Sequence, residues 1–127
     1  MERPWHKHWP VGVPRSIEYP RIPLHQILRD TARSLGDRTA TVFYGARLTY
    51  RELDEKADRF AAGLRGIGVK KGDRVGIIMP NSPMYVIAFF GVLRAGATVV
   101  QTNILYKARE LEEEYADAGA TVVVTLD

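Results

Sequence analysis

Apolar residues change their spacing along the chain, and these changes divide its first half into predicted elements. Residues 24–35 repeat apolar positions at helical intervals, and the next segment, "TATVFYGARLTY", reads as a β-hairpin with a turn at Gly45–Ala46. Helical spacing returns from residue 50 to residue 64, and Thr49 and Glu52 are placed to form a capping box at its start. The stripe predicted to be buried on the first helix comprises Leu24, Ile27, Leu28, Thr31 and Leu35.

The second half of the chain alternates strands and helices. The predicted order is strand 74–79, helix 84–95, strand 98–103, helix 108–118 and strand 121–126. The strands are almost continuous in valine and isoleucine, which is typical of a parallel sheet buried on both faces. The chain is therefore predicted to be an α/β protein, with a β-hairpin and a βαβαβ parallel sheet flanked by helices.

The N-terminal residues 1–23 differ from the rest in composition. They hold five of the seven prolines, together with Trp5, Trp9 and Tyr19. Because proline cannot continue a helix or donate to a sheet, we expect an extended, non-helical arm lying across a surface. Residues 24–127 then form one α/β unit, and its sheet ends on an unpaired strand. This exposed strand edge predicts self-association or dependence on further chain.

Charge and cysteine content exclude several classes of function. The net charge is +3, with 15 Lys/Arg against 9 Asp/Glu in residues 1–75 and an acidic remainder, but no basic cluster typical of nucleic-acid binding occurs. Cysteine is absent, which excludes disulfides and thiolate chemistry and favours a reducing, cytoplasmic location. No segment is long and apolar enough to span a bilayer, although the tryptophans and cations of the arm suggest peripheral membrane contact.

Candidate catalytic motifs are weak throughout. "GIGVKKG" follows a helix and precedes a strand, which is the reverse of the order that aims backbone N–H groups at a phosphate. His6 and His8 lack a third nearby ligand, and no serine lies in a nucleophile elbow. We therefore predict no catalytic, cofactor-binding or metal-binding residue in these 127 residues.

Polar residues at the ends of the predicted strands are the best candidates for contact with a ligand. Asn81 follows the first parallel strand, and Gln101, Thr102 and Asn103 end the second. Open parallel sheets bind ligands at the carboxyl ends of their strands, so these four residues are predicted to lie near substrate. Hydrogen bonding to the loop that starts the next helix is the alternative role for the last three.

Several of these segments resemble the adenylate-forming superfamily, which contains acyl-CoA synthetases, luciferases and peptide-synthetase adenylation domains. "LTYRELDEKADRFAAGL" (48–64) is similar to its first signature and "LRAGATVV" (93–100) to its second. The sequence between them is similar to that of fatty acyl-CoA ligases. The resemblance covers residues 23–127. The chain departs from the pattern at Gln101 and Ile104, where asparagine and proline are common in those ligases.

This resemblance implies a parent enzyme that forms an acyl-AMP from ATP and a medium- or long-chain fatty acid, and then an acyl-CoA. ATP, Mg²⁺ and coenzyme A are implied for that parent. The phosphate loop and catalytic lysine of the family come later in its chains, so the resemblance implies that the opening part of the large N-terminal domain is inactive alone. The remainder of the ligase chain is then its partner. The alternative is a stand-alone α/β binding or assembly module without catalysis.

Overall fold

The computed structural model describes residues 3–126 and contains four α-helices and five strands in that part of the chain. The helices are α1 (Leu24–Leu35), α2 (Tyr50–Gly66), α3 (Pro83–Arg94) and α4 (Ala108–Ala118). The strands are β1 (Thr39–Phe43), β2 (Ala46–Thr49), β3 (Arg74–Ile78), β4 (Thr98–Gln101) and β5 (Ala120–Thr125). The predicted α/β class and element order are confirmed.

The two sheets have the predicted pairing. Strands β1 and β2 form an antiparallel hairpin, and β4, β3 and β5 form a parallel sheet in that order. The chain moves from β3 to one neighbour and then crosses back to the other. Helices joined by right-handed crossovers in opposite directions lie on opposite faces of the sheet.

Contacts of the central strand β3 agree with this arrangement. Val75 and Ile77 are fully buried and pack against residues of α2 and α3 in the main core. Gly76 faces the other way, towards the ring of Tyr115 in α4. The main core therefore lies between β3 and the α2–α3 layer, and α4 covers the opposite face.

The flanking strands are less buried than the sequence suggests. Strand β5 alternates between half-buried and exposed residues, and Val123 is 43% exposed. The prediction that all three strands are buried on both faces is wrong for β4 and β5. Each is an edge strand that pairs only with β3 within residues 3–126, so fewer neighbours cover it.

Two local predictions need correction. The hairpin turn consists of Tyr44 and Gly45, both with positive φ (48° and 83°), so Tyr44 belongs to the turn and Ala46 to the strand. The α1 stripe is also shifted by about one residue. Leu28 and Ala32 are its buried residues, because this face meets α2 and α3. Leu24, Ile27 and Leu35 are exposed.

The arm contains one helical turn that the sequence did not predict. Residues Pro4–His8 form a 3₁₀-helix, and the remaining residues up to Pro23 have turns and extended backbone. Pro4 is tolerated because it occupies the first turn, where a missing N–H costs no hydrogen bond. The arm is otherwise outside the helices and sheets, and its status as a separate unit stays a prediction.

Candidate functional site

A polar cavity of about 580 Å³ opens at the carboxyl ends of β3 and β4. It lies between the loop that follows β3 and the turn that follows β4. Its lining residues are Met79, Pro80, Asn81, Tyr85, Thr102, Asn103 and Ile104. Three of the four residues predicted to lie near substrate therefore come together around one cavity.

Thr102 is the most enclosed polar residue of this cavity. Its backbone N–H donates to the carbonyl of Ile77 at 3.1 Å, which continues the β3–β4 pairing one residue past β4. The residue is only 8% exposed, and its Oγ1 has no hydrogen-bond partner among the described residues. A buried hydroxyl without a partner is uncommon, because losing water without a replacement bond is unfavourable.

Asn103 shapes the turn beside Thr102. Its Oδ1 accepts a hydrogen bond from the backbone N–H of Leu105 at 3.0 Å, and its carbonyl accepts one from Tyr106 at 3.1 Å. This bonding to the loop is the alternative role that the sequence indicated, and it is confirmed for Asn103. The amide nitrogen of the side chain is the part that remains to meet a ligand.

Asn81 and Gln101 differ in their relation to the cavity. Asn81 lines it from the loop between β3 and α3, immediately before Ser82, whose Oγ accepts from the N–H of Tyr85 at 3.3 Å as the helix cap. Gln101 is exposed and is not among the lining residues. Of the predicted group, Gln101 is therefore the one that the structure leaves outside the cavity.

The cavity is suited to recognition by hydrogen bonds rather than to proton transfer. Its polar side chains are a hydroxyl, two amides and the phenol of Tyr85, and no carboxylate, imidazole or ammonium group is among the lining residues. Met79, which is buried, and Tyr85, which is half-buried, supply apolar walls. Neither residue was predicted to line a site, because in the sequence each looks like an ordinary core position of a strand or helix.

A smaller and more apolar cavity of about 270 Å³ lies beside the first. It is formed where the hairpin approaches the loop that follows β3 and the end of β5. Phe43, Leu48, Pro83 and Met84 contribute to its walls, and Lys56 is the charged residue that lines it. The sequence contained no signal for it, because the hairpin reaches this edge only through tertiary packing.

Side chains with shifted pKa values lie away from both the polar cavity and its loops. The backbone N–H of Thr49 lowers the pKa of the Glu52 carboxyl at the start of α2. Burial lowers the pKa of His25 in α1, and the nearby guanidinium of Arg94 adds to the effect. These groups belong to helix capping and helix packing.

Comparison with known proteins identifies the family. The AMP-binding enzyme family matches residues 28–127, which is most of the chain. The chain belongs to this family. The match includes α2, the parallel sheet and the whole polar cavity, whereas the arm and the first residues of α1 precede it.

Curated relatives of this AMP-binding chain include bacterial long-chain-fatty-acid–CoA ligases. The Bacillus subtilis ligase is 43% identical over 126 residues, and the Yersinia pestis ligase is 44% identical over the same length. These alignments cover 99% and 98% of the chain and 22% of each relative. The chain thus spans about a fifth of the length of the ligases it matches.

Solved structures of adenylating enzymes share the fold of the AMP-binding chain. The N-terminal subdomain of Klebsiella oxytoca NpsA in complex with 3-hydroxyanthranilyl-AMSN matches with a TM-score of 0.79 at 30% identity, covering 83% of this chain and 27% of that one. The inhibitor-bound N-terminal domain of FACL13 from Mycobacterium tuberculosis matches with a TM-score of 0.76 at 33% identity, covering 80% and 26%. The predicted resemblance to the opening of the large N-terminal domain is confirmed.

The described residues of the AMP-binding chain do not fit a complete nucleotide and magnesium site. Within residues 3–126, no group of three His, Cys, Asp or Glu side chains comes together to hold a metal ion. At the first turn of α3, Pro83 has no N–H and the N–H of Tyr85 is already bonded to Ser82, so this helix start offers little to a phosphate. Within the described part, no helix is long and apolar enough to cross a membrane.

Proposed function

We propose that these 127 residues are the opening part of an ATP-dependent medium- or long-chain fatty-acid–CoA ligase. The observation that carries the proposal is the 43% identity to the Bacillus subtilis ligase, which extends over 126 residues and so includes the arm as well as the sheet. In the proposed reaction, the fatty-acid carboxylate displaces pyrophosphate from ATP to form acyl-AMP. The thiol of coenzyme A then displaces AMP to form the thioester.

The contribution of this chain is a wall of the substrate site, formed by the polar cavity. The unpartnered Thr102 hydroxyl can donate to or accept from a ligand, and the side-chain amide of Asn81 can do the same from the rim. The amide nitrogen of Asn103 can donate to a ligand there. Their neutral chemistry supports positioning of a substrate, whereas ATP and Mg²⁺ would be held mainly by residues elsewhere in the ligase. We expect the 127 residues alone to be inactive, and the whole ligase to act in the cytoplasm.

A chimeric ligase tests this proposal directly. The 127 residues replace the aligned segment of the Bacillus subtilis ligase, and acyl-CoA formation is measured with a long-chain fatty acid, ATP and coenzyme A. The proposal predicts an active chimera and no ATP–pyrophosphate exchange by the 127 residues alone. A folded chimera without activity, or exchange by the isolated chain, would contradict it.

The role of the cavity is tested in the same chimera with a matched pair of substitutions. Thr102→Val keeps the side-chain shape and removes the hydroxyl, so kcat/KM is expected to fall about tenfold if one hydrogen bond to substrate is lost. Gln101→Ala is the control, because Gln101 lies next to Thr102 in sequence but outside the cavity lining. If the two substitutions change kcat/KM equally, Thr102 is not part of the substrate site.

The coding sequence after codon 127 distinguishes the ligase from a stand-alone α/β binding or assembly module. Continuation into a loop rich in serine, threonine and glycine supports the ligase. A stop codon at that point supports the module. Thermal-shift measurements with ATP and with fatty acid on the isolated chain then show whether such a module binds either ligand.

A further inference from the structure

The apolar cavity between the hairpin, α2 and the start of α3 has walls that are only partly withdrawn from water. Three of its large apolar residues keep much of their surface exposed, with Phe43 at 40%, Met84 at 52% and Leu126 at 44%. The cavity has a volume of about 270 Å³. An apolar occupant would shield these side chains from water, and the removal of apolar surface from water favours binding.

Lys56 is the charged residue at this cavity. It is half-buried on α2, and none of the ion pairs among residues 3–126 includes it. The carboxylate one turn earlier, Glu52, accepts instead from the backbone N–H and the hydroxyl of Thr49, at 2.8 and 3.0 Å. The ammonium group therefore lies at an apolar wall without an ion-pair partner in the described part of the chain. A cation in such surroundings favours an anionic group on the ligand.

Ser82 adds a hydrogen-bond donor to the same cavity. Its Oγ accepts from the backbone N–H of Tyr85 at 3.3 Å, so its own O–H remains able to donate. An ammonium group and a hydroxyl together can donate to the two oxygens of a carboxylate. The remaining lining residues are apolar: Phe43, Ala46, Leu48, Pro80, Pro83, Met84 and Leu126. The cavity thus combines donors for a carboxylate with walls for a hydrocarbon chain.

The apolar cavity is separate from the polar cavity at the carboxyl ends of β3 and β4. Pro80 is the residue that lines both. The hairpin contributes Phe43, Ala46 and Leu48 to the apolar cavity, whereas the polar cavity has no lining residue from it. A ligand in the apolar cavity would bridge the hairpin and the loop after β3, and would so stabilise the packing of two segments that are distant in sequence.

We propose that the apolar cavity is a second ligand site that binds a medium-chain fatty acid, with the hydrocarbon chain against Phe43, Leu48 and Met84 and the carboxylate at Lys56 and Ser82. The volume supports this ligand size. It exceeds the roughly 150 Å³ of a cavity that holds benzene and lies just below the roughly 300 Å³ at which sites for drug-sized ligands begin. The inference goes beyond the proposed ligase activity, since it assigns binding without reaction to residues outside the proposed substrate wall.

Calorimetric titration of the full chain with octanoate and decanoate, each below its critical micelle concentration, tests the proposal. Each methylene buried against apolar walls strengthens binding about fourfold, so decanoate is expected to bind about tenfold more tightly than octanoate. Decanol has the same chain without the carboxylate and is expected to bind at least about fivefold more weakly than decanoate. Absence of decanoate binding, or equal binding of decanol and decanoate, would overturn the proposal. Because no ATP or coenzyme A is present, either result leaves the chimeric-ligase assay unaffected.

Substitutions assign the binding to this cavity. Lys56→Met keeps an unbranched side chain without the charge, and is expected to weaken decanoate binding about tenfold and decanol binding little. Lys70→Met is the matched control, because Lys70 is exposed and lies outside the cavity lining. Ala46→Trp fills the cavity from the hairpin and is expected to abolish binding of both ligands, with circular dichroism to verify its fold.

Two outcomes of these substitutions would overturn the proposal. One is an equal loss of decanoate affinity in Lys56→Met and Lys70→Met. The other is a loss that occurs with Thr102→Val but not with Lys56→Met, which would assign the fatty acid to the polar cavity. If Ala46→Trp does not fold, the comparison of Lys56→Met with Lys70→Met still decides between these outcomes and the proposal.

Discussion

The ring of Tyr115 in α4 lies directly over the backbone of Gly76 in β3. A Cβ at position 76 would lie 2.7 Å from Cε1 of that ring, which is closer than such atoms approach in folded proteins. The contact covers the face of β3 opposite the main core. It depends on the absence of a side chain at Gly76, because a Cβ there would occupy the space of the Tyr115 ring.

Replacing Gly76 tests how tightly α4 is held against the sheet. Gly76→Ala is expected to lower the free energy of unfolding by about 2 kcal/mol because the added methyl overpacks this contact. Gly63→Ala is the matched control, since no atom lies within 4 Å of a Cβ there and alanine favours the helix by up to about 1 kcal/mol. Urea unfolding measures both. The double variant Gly76→Ala/Tyr115→Leu should recover part of the lost stability. If it does not, the contact with Tyr115 is not the cause of the destabilisation by Gly76→Ala.

An ion-pair network joins three helices around Arg94. The Arg94 side chain is 4% exposed, and its guanidinium pairs with the carboxylate of Asp54 and, at 3.0 Å, with that of Asp58. The Asp58 carboxylate also accepts from Arg29 at 2.7 Å. Because α1, α2 and α3 each contribute to the network, it fixes their packing.

Removing the buried guanidinium is expected to destabilise the fold strongly. Arg94→Leu leaves the partly buried Asp54 carboxylate without its partner, which costs about 3 kcal/mol in comparable buried pairs. Arg33→Leu breaks an exposed pair with Asp30 and is expected to cost less than about 1 kcal/mol. Chemical unfolding measures the free energy of unfolding of both variants. Similar losses of this free energy would show that burial does not set the strength of the Arg94 network.

The capping box at the start of α2 makes the stability of the fold depend on pH in the acidic range. The backbone N–H of Thr49 donates to the Glu52 carboxylate at 2.8 Å and lowers its pKa in the folded state. A pKa lowered by folding adds stability above the unfolded value, near 4.3, and this stability is lost as pH falls through the folded value. The gap in stability between wild type and Glu52→Gln should therefore narrow as pH falls below about 4. A gap that is constant across thermal melts at neutral and acidic pH would contradict this assignment.

The outer edge of β5 is expected to promote self-association. Strand β5 pairs only with β3 among the described residues, and Val123 is 43% exposed on it. Val123→Lys places a charge on this edge. It is expected to lower the weight-average sedimentation coefficient at high protein concentration. Val42→Lys on the hairpin, where Val42 is 60% exposed, controls for added charge alone. If the wild-type chain sediments as a monomer at all protein concentrations, the prediction of self-association is wrong.

Local features of the sequence were sufficient to predict the four α-helices and five strands, although not the 3₁₀-helix of the arm. The Thr49–Glu52 box begins α2 at Tyr50, Ser82 caps α3, and apolar spacing predicted α4 at Ala108–Ala118. Each signal acts within a few residues, where backbone geometry and hydrogen bonding are local. The boundaries of strands were less accurate, because a strand ends where its neighbour stops pairing with it.

The sequence by itself therefore determined the α/β class, the order of the elements, the family and the position of Asn81, Thr102 and Asn103 after their strands. Only the tertiary structure decided which of them share a cavity, and it placed Gln101 outside. It also joined Arg94 to Asp54, 40 residues earlier, and laid Tyr115 over Gly76. These relationships arise from packing between distant segments, which periodicity and capping signals do not encode.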